Sequence, residues 1–196
     1  MTLLAFSKIA WAIGVVCWYV LRIPFERKAR RMKVTNARHR NARDMTLLTI
    51  STLGLGITPG IYALTGWPRF ASYPITIVQV VAGVLVFLAA LWLFWATHKA
   101  IGRYWSVTLE IKEKHELVTT GVYGQVRHPM YSAFFMWALA QALLLPNWIA
   151  GPAGLVGFGI LFFFRVGREE QMMREAFGAE YDAYVRRTKR VIPGIY

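Results

Sequence analysis

Three apolar stretches, residues 3–23, 45–65 and 74–97, are each long enough to cross a bilayer. A tighter pair, 130–145 and 148–164, follows with only Pro146-Asn147 between its members. About 20 apolar residues in helical form span the hydrocarbon core. Inside it the backbone must satisfy its own hydrogen bonds, so these runs predict helices and leave little room for an open sheet. With 56% hydrophobic and 17% charged residues, the chain is poorer in charge than soluble domains, where roughly a quarter is charged. The expectation is an all-α integral membrane protein. It would form one domain over residues 1–196, with about five transmembrane helices.

The net charge of +13 would suggest nucleic acid in a soluble protein, but the charges are not spread that way. If every apolar run crosses, segments 22–44, 98–128 and 165–196 share one side. They hold 9, 5 and 7 of the 23 Lys and Arg, and all ten acids; only Lys8 and Arg69 lie elsewhere. The positive-inside rule puts those segments in the cytoplasm and the N-terminus outside, in the plasma membrane if the cell is prokaryotic. The run Arg27-Lys28-Ala29-Arg30-Arg31 reads as a topology determinant against anionic headgroups. No aromatic interleaving or nucleic-acid fold signature accompanies it, so no nucleic-acid partner is expected. In the first run positive charge follows the apolar residues, which fits an anchor better than a signal peptide.

Polar clusters stand at the ends of the later runs: Arg127-His128-Pro129-Met130-Tyr131, then Arg165, Arg168, Glu169 and Glu170. Ionisable groups at membrane depth are costly and therefore functional candidates. Pro129 disfavours helix at His128 and suits the first turn of the next helix, whose open amides could receive a carboxylate. Arg165 and Glu169, four apart, project from one helix face. A guanidinium behind Phe162-Phe163-Phe164 could hold a carboxylate bidentately.

Plainer readings stand beside these. Arg165–Glu169 could be an i,i+4 ion pair, Arg127 a loop or headgroup anchor, and Tyr123 and Tyr131 belt residues. Phe177, Tyr181 and Tyr184 suit docking of a C-terminal helix, and Met172 and Met173 adaptable packing. Gly151, Gly154, Gly157 and Gly159 suit close helix packing rather than a phosphate loop. Cys17 stands alone, and His39, His98, His115 and His128 lack ligand spacing, so no metal is expected.

The ordered set from His115-Glu116-Leu117-Val118 through Tyr123, Arg127-His128-Pro129-Met130-Tyr131 and Glu169-Glu170 to Phe177-Gly178, Arg190 and Pro193 resembles the isoprenylcysteine carboxyl methyltransferase family. The resemblance covers roughly residues 100–196. It implies a membrane enzyme that uses S-adenosylmethionine, releases S-adenosylhomocysteine, and admits a lipophilic acceptor from the bilayer. The cytoplasmic cofactor pocket would be formed by the 98–128 segment and the C-terminal helix. Residues 1–97 would supply three N-terminal spans, and 98–196 the cofactor-binding and catalytic part.

By matching positions, His115, Glu116, Leu117, Val118 and Tyr123 would line the adenosine side. His128, Pro129, Met130, Tyr131 and Glu169 would continue the cofactor pocket, with Thr108 near another contact. Arg165 matches the position that binds the acceptor carboxylate, and Arg127 is the second catalytic candidate. The acceptor so implied is a prenylcysteine carboxylate or similar lipophilic carboxylate. Membrane enzymes that methylate phospholipid amines share an element like Arg127–Tyr131 and a following acidic pair, so phosphatidylethanolamine is the alternative acceptor. A non-catalytic lipid-binding protein or transporter is the alternative class.

Overall fold

The structure, a computed structural model, describes residues 2–29, 34–36, 42–102, 111–112 and 117–196. Apart from one short ribbon, the regular elements among the described residues are helical. Helix α1 is Leu3–Ala29 and α2 is Ala42–Thr52. A π-helical turn, Leu53–Ile57, carries α2 into α3, Thr58–Thr65. Then come α4 (Ile77–Ile101), α5 (Pro129–Leu144), α6 (Ala153–Phe177) and α7 (Ala179–Arg187). Strands β1 (Val34–Asn36) and β2 (Ile111–Lys112) pair antiparallel, tying together two of the basic segments.

Among the described residues, three helices are long and apolar enough to cross a membrane: Leu3–Lys28, Ala42–Thr65 and Ile77–Ile101. The first member of the expected closing pair keeps the length of its apolar run, shifted by one residue, and the second starts late. Helix α5 has 16 residues, about 24 Å at 1.5 Å per residue, against a core of about 30 Å. In the second member residues 148–152 form turns, so α6 begins five residues late and becomes polar at Arg165. Its second half, Arg165 to Phe177, continues as helix beyond the apolar part.

Small residues let these helices meet closely, as apolar helices in lipid require. A Cβ on Gly54 would lie 2.3 Å from the Ala153 carbonyl oxygen, and one on Gly157 2.7 Å from that of Ile50. The glycines of α6 do pack as expected at 154 and 157, whereas Gly159 meets nothing. Helices α4 and α5 make the broadest contact, with Ala138, Ala140 and Leu144 fully buried. Helix α4 starts with a reciprocal cap: Thr76 Oγ1 accepts from the Gln79 amide, and Gln79 Oε1 from the Thr76 amide.

The helix ends sort into two groups. At one end Lys8 donates to the Tyr62 carbonyl (3.1 Å) and Trp148 N to the Ala71 carbonyl (2.9 Å). Trp67, Phe70 and Trp148 are exposed there, as amphipathic and aromatic rings are at a membrane interface. At the other end Arg168 meets Asp44 at 3.6 Å and Phe25 stacks near His98. Val126 pairs there with Lys189, so the 117–128 segment and the C-terminal segment lie together.

Candidate active site

Pro129 is the first residue of α5, as its missing N–H and fixed φ favour. That places His128 at the N-cap and turns its side chain, with that of Tyr131, toward α6. The helix start is less open than the sequence suggested. The amides of Tyr131 and Ser132 both donate to the His128 carbonyl, at 3.0 and 3.2 Å. Donors for an incoming anionic group must therefore come chiefly from side chains.

Adjacent residues on a helix point about 100° apart, so Glu169 and Glu170 cannot share a direction. Glu169 faces a cavity of about 320 Å³. Its Oε2 accepts from the Tyr131 hydroxyl at 2.6 Å, and its Oε1 lies 3.9 Å from His128 Nδ1. Glu170 turns away and is 1% exposed. It gathers His128 Nε2 (3.3 Å), Arg127 Nη2 (3.0 Å) and both Nε and Nη2 of Arg190 (3.0 and 2.9 Å). Burial alone would raise the Glu170 carboxyl; the donors from His128, Arg190 and Arg127 outweigh it and hold the group well below the carboxylate range. The same bonds raise the Arg190 guanidinium.

Arg127 is spent on this cluster. Besides Glu170, it donates from Nη1 to the Thr188 and Val185 carbonyls. The backbone amides of Arg127 and His128 donate to the Lys189 and Arg190 carbonyls (2.7 and 2.9 Å), and Ser132 Oγ to that of Val191 (2.6 Å). Gly178, at φ +52°, lets the chain break from α6 into α7. Helix α7 returns over the site, and the Tyr184 hydroxyl donates to the Tyr123 carbonyl at 2.6 Å. Burial pushes the phenols of Tyr123, Tyr181 and Tyr184 upward, so each remains a donor at neutral pH.

The cavity brings together most of the expected site. Leu117, Val118, Tyr123, Arg127–Tyr131, Arg165 and Glu169 all line it. Thr108, His115 and Glu116 lie outside the described residues. Arg165 is only 8% exposed and stands between the polar end and an aromatic wall. In that wall Trp18 packs 5.0 Å from Trp137, and Phe134 5.0 Å from Phe158. Tyr181, Tyr184, Met172 and Met173 also reach the cavity, beyond the docking and packing roles expected of them.

The pocket is broader than the 98–128 segment and the C-terminal helix. Val15 and Trp18 of α1, with Leu48, Leu55 and Gly56 of the α2–α3 unit, complete it. Those residues carried no polar signal by which the sequence could have flagged them. Glu170 stood in the sequence only as one member of a polar cluster; its turn away from the cavity is set by Arg127 and by Arg190, twenty residues on.

Residues 80–175 match the isoprenylcysteine carboxyl methyltransferase (ICMT) family. The match takes in just under half of the chain. The ICMT match begins in α4, runs through the 117–128 segment and α5, and ends in α6 just beyond the two acids. A probable protein-S-isoprenylcysteine O-methyltransferase of Oryza sativa subsp. indica is 33% identical over 89 residues, 45% of this chain and 47% of its own. Protein-S-isoprenylcysteine O-methyltransferase B of Arabidopsis thaliana is 35% identical over 94 residues, 47% and 48% respectively. The Saccharomyces cerevisiae enzyme of that name is 41% identical over 106 residues, 51% of this chain and 42% of its own. The matched region thus spans about half or less of each of these relatives.

Proposed function

We propose that this protein is an S-adenosylmethionine-dependent membrane methyltransferase that esterifies a lipophilic carboxylate, most simply that of a prenylated cysteine. The observation that carries this is the single cavity joining Glu169, His128 and Tyr131 to an aromatic wall, with the buried cation of Arg165 between. Its volume lies at the small end of ligand sites, which run from about 300 to 1,000 Å³.

The donor set fits the cofactor. Glu169 offers a carboxylate to an ammonium or to ribose hydroxyls, and Tyr131 fixes its orientation. Leu117, Val118 and Met130 give apolar surface beside Tyr123 for a purine. When bound, S-adenosylmethionine supplies a methyl group on a positively charged sulfur. A carboxylate is already ionised at neutral pH, so the chain needs no strong base. Arg165 holds the acceptor carboxylate and aims one oxygen, while Phe134, Trp137 and Phe158 keep water from it. The products are a methyl ester and S-adenosylhomocysteine. Arg127 is then a positioning residue, because its donors are committed to Glu170 and the C-terminal carbonyls.

On this reading α5 and α6 form a hairpin that completes five crossings, and the cavity end faces the cytoplasm. The gathering of 21 of the 23 basic residues into three segments supports that orientation. The acceptor enters between helices from the bilayer. An amine acceptor would gain nothing from a guanidinium beside its nucleophile.

The test is transfer from labelled S-adenosylmethionine by protein in lipid, offered a farnesylated cysteine and phosphatidylethanolamine together. Base-labile label on the prenyl compound is expected; stable label on the phospholipid would sink carboxyl methylation. Arg165→Ala should abolish transfer yet bind cofactor normally, whereas Glu169→Ala should weaken cofactor binding by about tenfold or more. Equal loss of cofactor affinity in both variants would undo this division of roles.

A further inference from the structure

We infer that the π-helical turn Leu53–Ile57 is the gauge for the acceptor's hydrocarbon chain, and that Gly56 determines which chain lengths are accepted. This rests on the proposed carboxyl methylation, since only a lipophilic acceptor would fill the apolar end of the cavity.

In this turn the Thr58 amide donates to the Leu53 carbonyl, five residues back. One extra residue per turn shifts the helix face and leaves a carbonyl outside the ordinary ladder. Gln141 supplies a partner: its Nε2 donates to the Gly54 carbonyl at 3.1 Å, as well as to those of Ala150 and Gly151. Gln141 is fully buried, so the turn is braced from α5.

The two glycines of the turn have opposite surroundings. Gly54 is pressed against α6 and cannot carry a side chain without moving it. Gly56 lines the cavity, and a Cβ there would meet no atom within 4 Å. Its φ is not positive, so a larger residue is not strained by the backbone. Because α2 runs against α6, with Asp44 near Arg168 and Gly54 on Gly157, the turn lies far from the charged end. Gly157 is eight residues from Arg165 along α6, about 12 Å at 1.5 Å per residue. A chain whose carboxylate rests on Arg165 reaches Gly56 only if it is long, and short chains stop before it.

The experiment compares geranyl, farnesyl and geranylgeranyl cysteine as acceptors for unmodified protein, Gly56→Ala, Gly56→Leu and Gly60→Leu. Gly60 also has open space at its Cβ but does not line the cavity. Gly56→Leu should lower kcat/KM for the longest chain about tenfold or more relative to geranyl, with cofactor affinity unchanged. Gly56→Ala should shift the same ratio less, and Gly60→Leu should not shift it. An unaltered length profile in Gly56→Leu overturns the gauge, as does an equal shift in Gly60→Leu. If Gly56→Leu fails to fold, the ratio in Gly56→Ala decides. Unmodified protein that methylates none of the three overturns carboxyl methylation and the gauge with it; a profile without a shift overturns the gauge alone.

Discussion

Two polar knots close the helical hairpin of α5 and α6, one at each end, and they are built from different chemistry. At the tip, Asn147 is fully buried and uses its amide alone. Its Oδ1 accepts from the Ile149 and Ala150 amides, and its Nδ2 donates to the Pro68 carbonyl and to Ser72 Oγ. At the other end Glu170 is equally buried but draws on two guanidiniums and an imidazole. Both solve one problem, a buried turn with backbone groups to satisfy. The neutral knot needs no charge because nothing beyond folding depends on it. The ionic knot carries Arg127 and His128 on the wall of the cavity, so the same bonds that close the fold set the geometry of the site.

Breaking the ionic knot should have the largest effect. Glu170→Ala leaves the Arg127 and Arg190 cations facing each other, and removal of one partner from a buried pair costs about 3–5 kcal/mol. Thermal unfolding in a mild detergent should show the loss, with weaker cofactor binding because His128 is released. Glu170→Gln keeps the shape and part of the bonding and should cost less. The comparison has a pH signature. The folded carboxyl is held below its unfolded value, so its contribution is complete above about pH 4.3 and fades as pH falls below that. Unmodified protein should therefore lose more stability than Glu170→Gln on acidification below that pH, and match its slope at pH 6–8. Parallel curves throughout would mean that Glu170 is not held ionised by its partners.

How far these knots could be read beforehand differs in the same way. Pro129 announced the start of α5, and Gly154 and Gly157 announced a close packing face on α6, because each of those signals acts within one or two turns of helix. Asn147 was visible only as part of a short break between apolar runs, since its partners at 68 and 72 are distant in sequence. Arg165 and Glu169 were legible as sharing one helix face from their spacing of four; Glu170 was legible only as the neighbouring acid, because its direction matters only once Arg190 is known to return. The π-turn left no sequence sign: it depends on Gln141, which reads as one polar residue in an apolar helix. The start of the second arm was placed five residues early because residues 148–152 are apolar enough for helix yet are held in turns by Asn147.

Asn147→Ala should be the intermediate case. It strands the Ile149 and Ala150 amides at a buried tip, where an unsatisfied group costs about 1–3 kcal/mol, and leaves the Pro68 carbonyl with the Ala71 amide alone. The expected loss of stability is therefore smaller than for Glu170→Ala and independent of pH between 5 and 8. Cofactor affinity should stay within about twofold, because no residue of the tip lines the cavity. A cofactor-binding defect as deep as that of Glu170→Ala would show that the tip, too, governs the site.

Ser132→Ala is the gentlest probe and the sharpest on the role of the C-terminal segment. Ser132 Oγ donates to the Val191 carbonyl at 2.6 Å, one turn into α5 and next to the bonds that join Arg127 and His128 to residues 189 and 190. Loss of one neutral hydrogen bond costs about 1 kcal/mol. If residues 188–192 serve only to finish the fold, that small loss should appear in unfolding alone. If they hold His128 against Glu169, as the ionic knot implies, the weakened strap should raise the dissociation constant for S-adenosylmethionine by a few-fold, about the same energy read at the site. Proteolysis would separate the two, because a loosened strap exposes the Lys189-Arg190 bond to trypsin and bound cofactor should then protect it. Cleavage that ignores the cofactor would leave the C-terminal segment a structural closure, and would put the ionic knot in the same class as the neutral one.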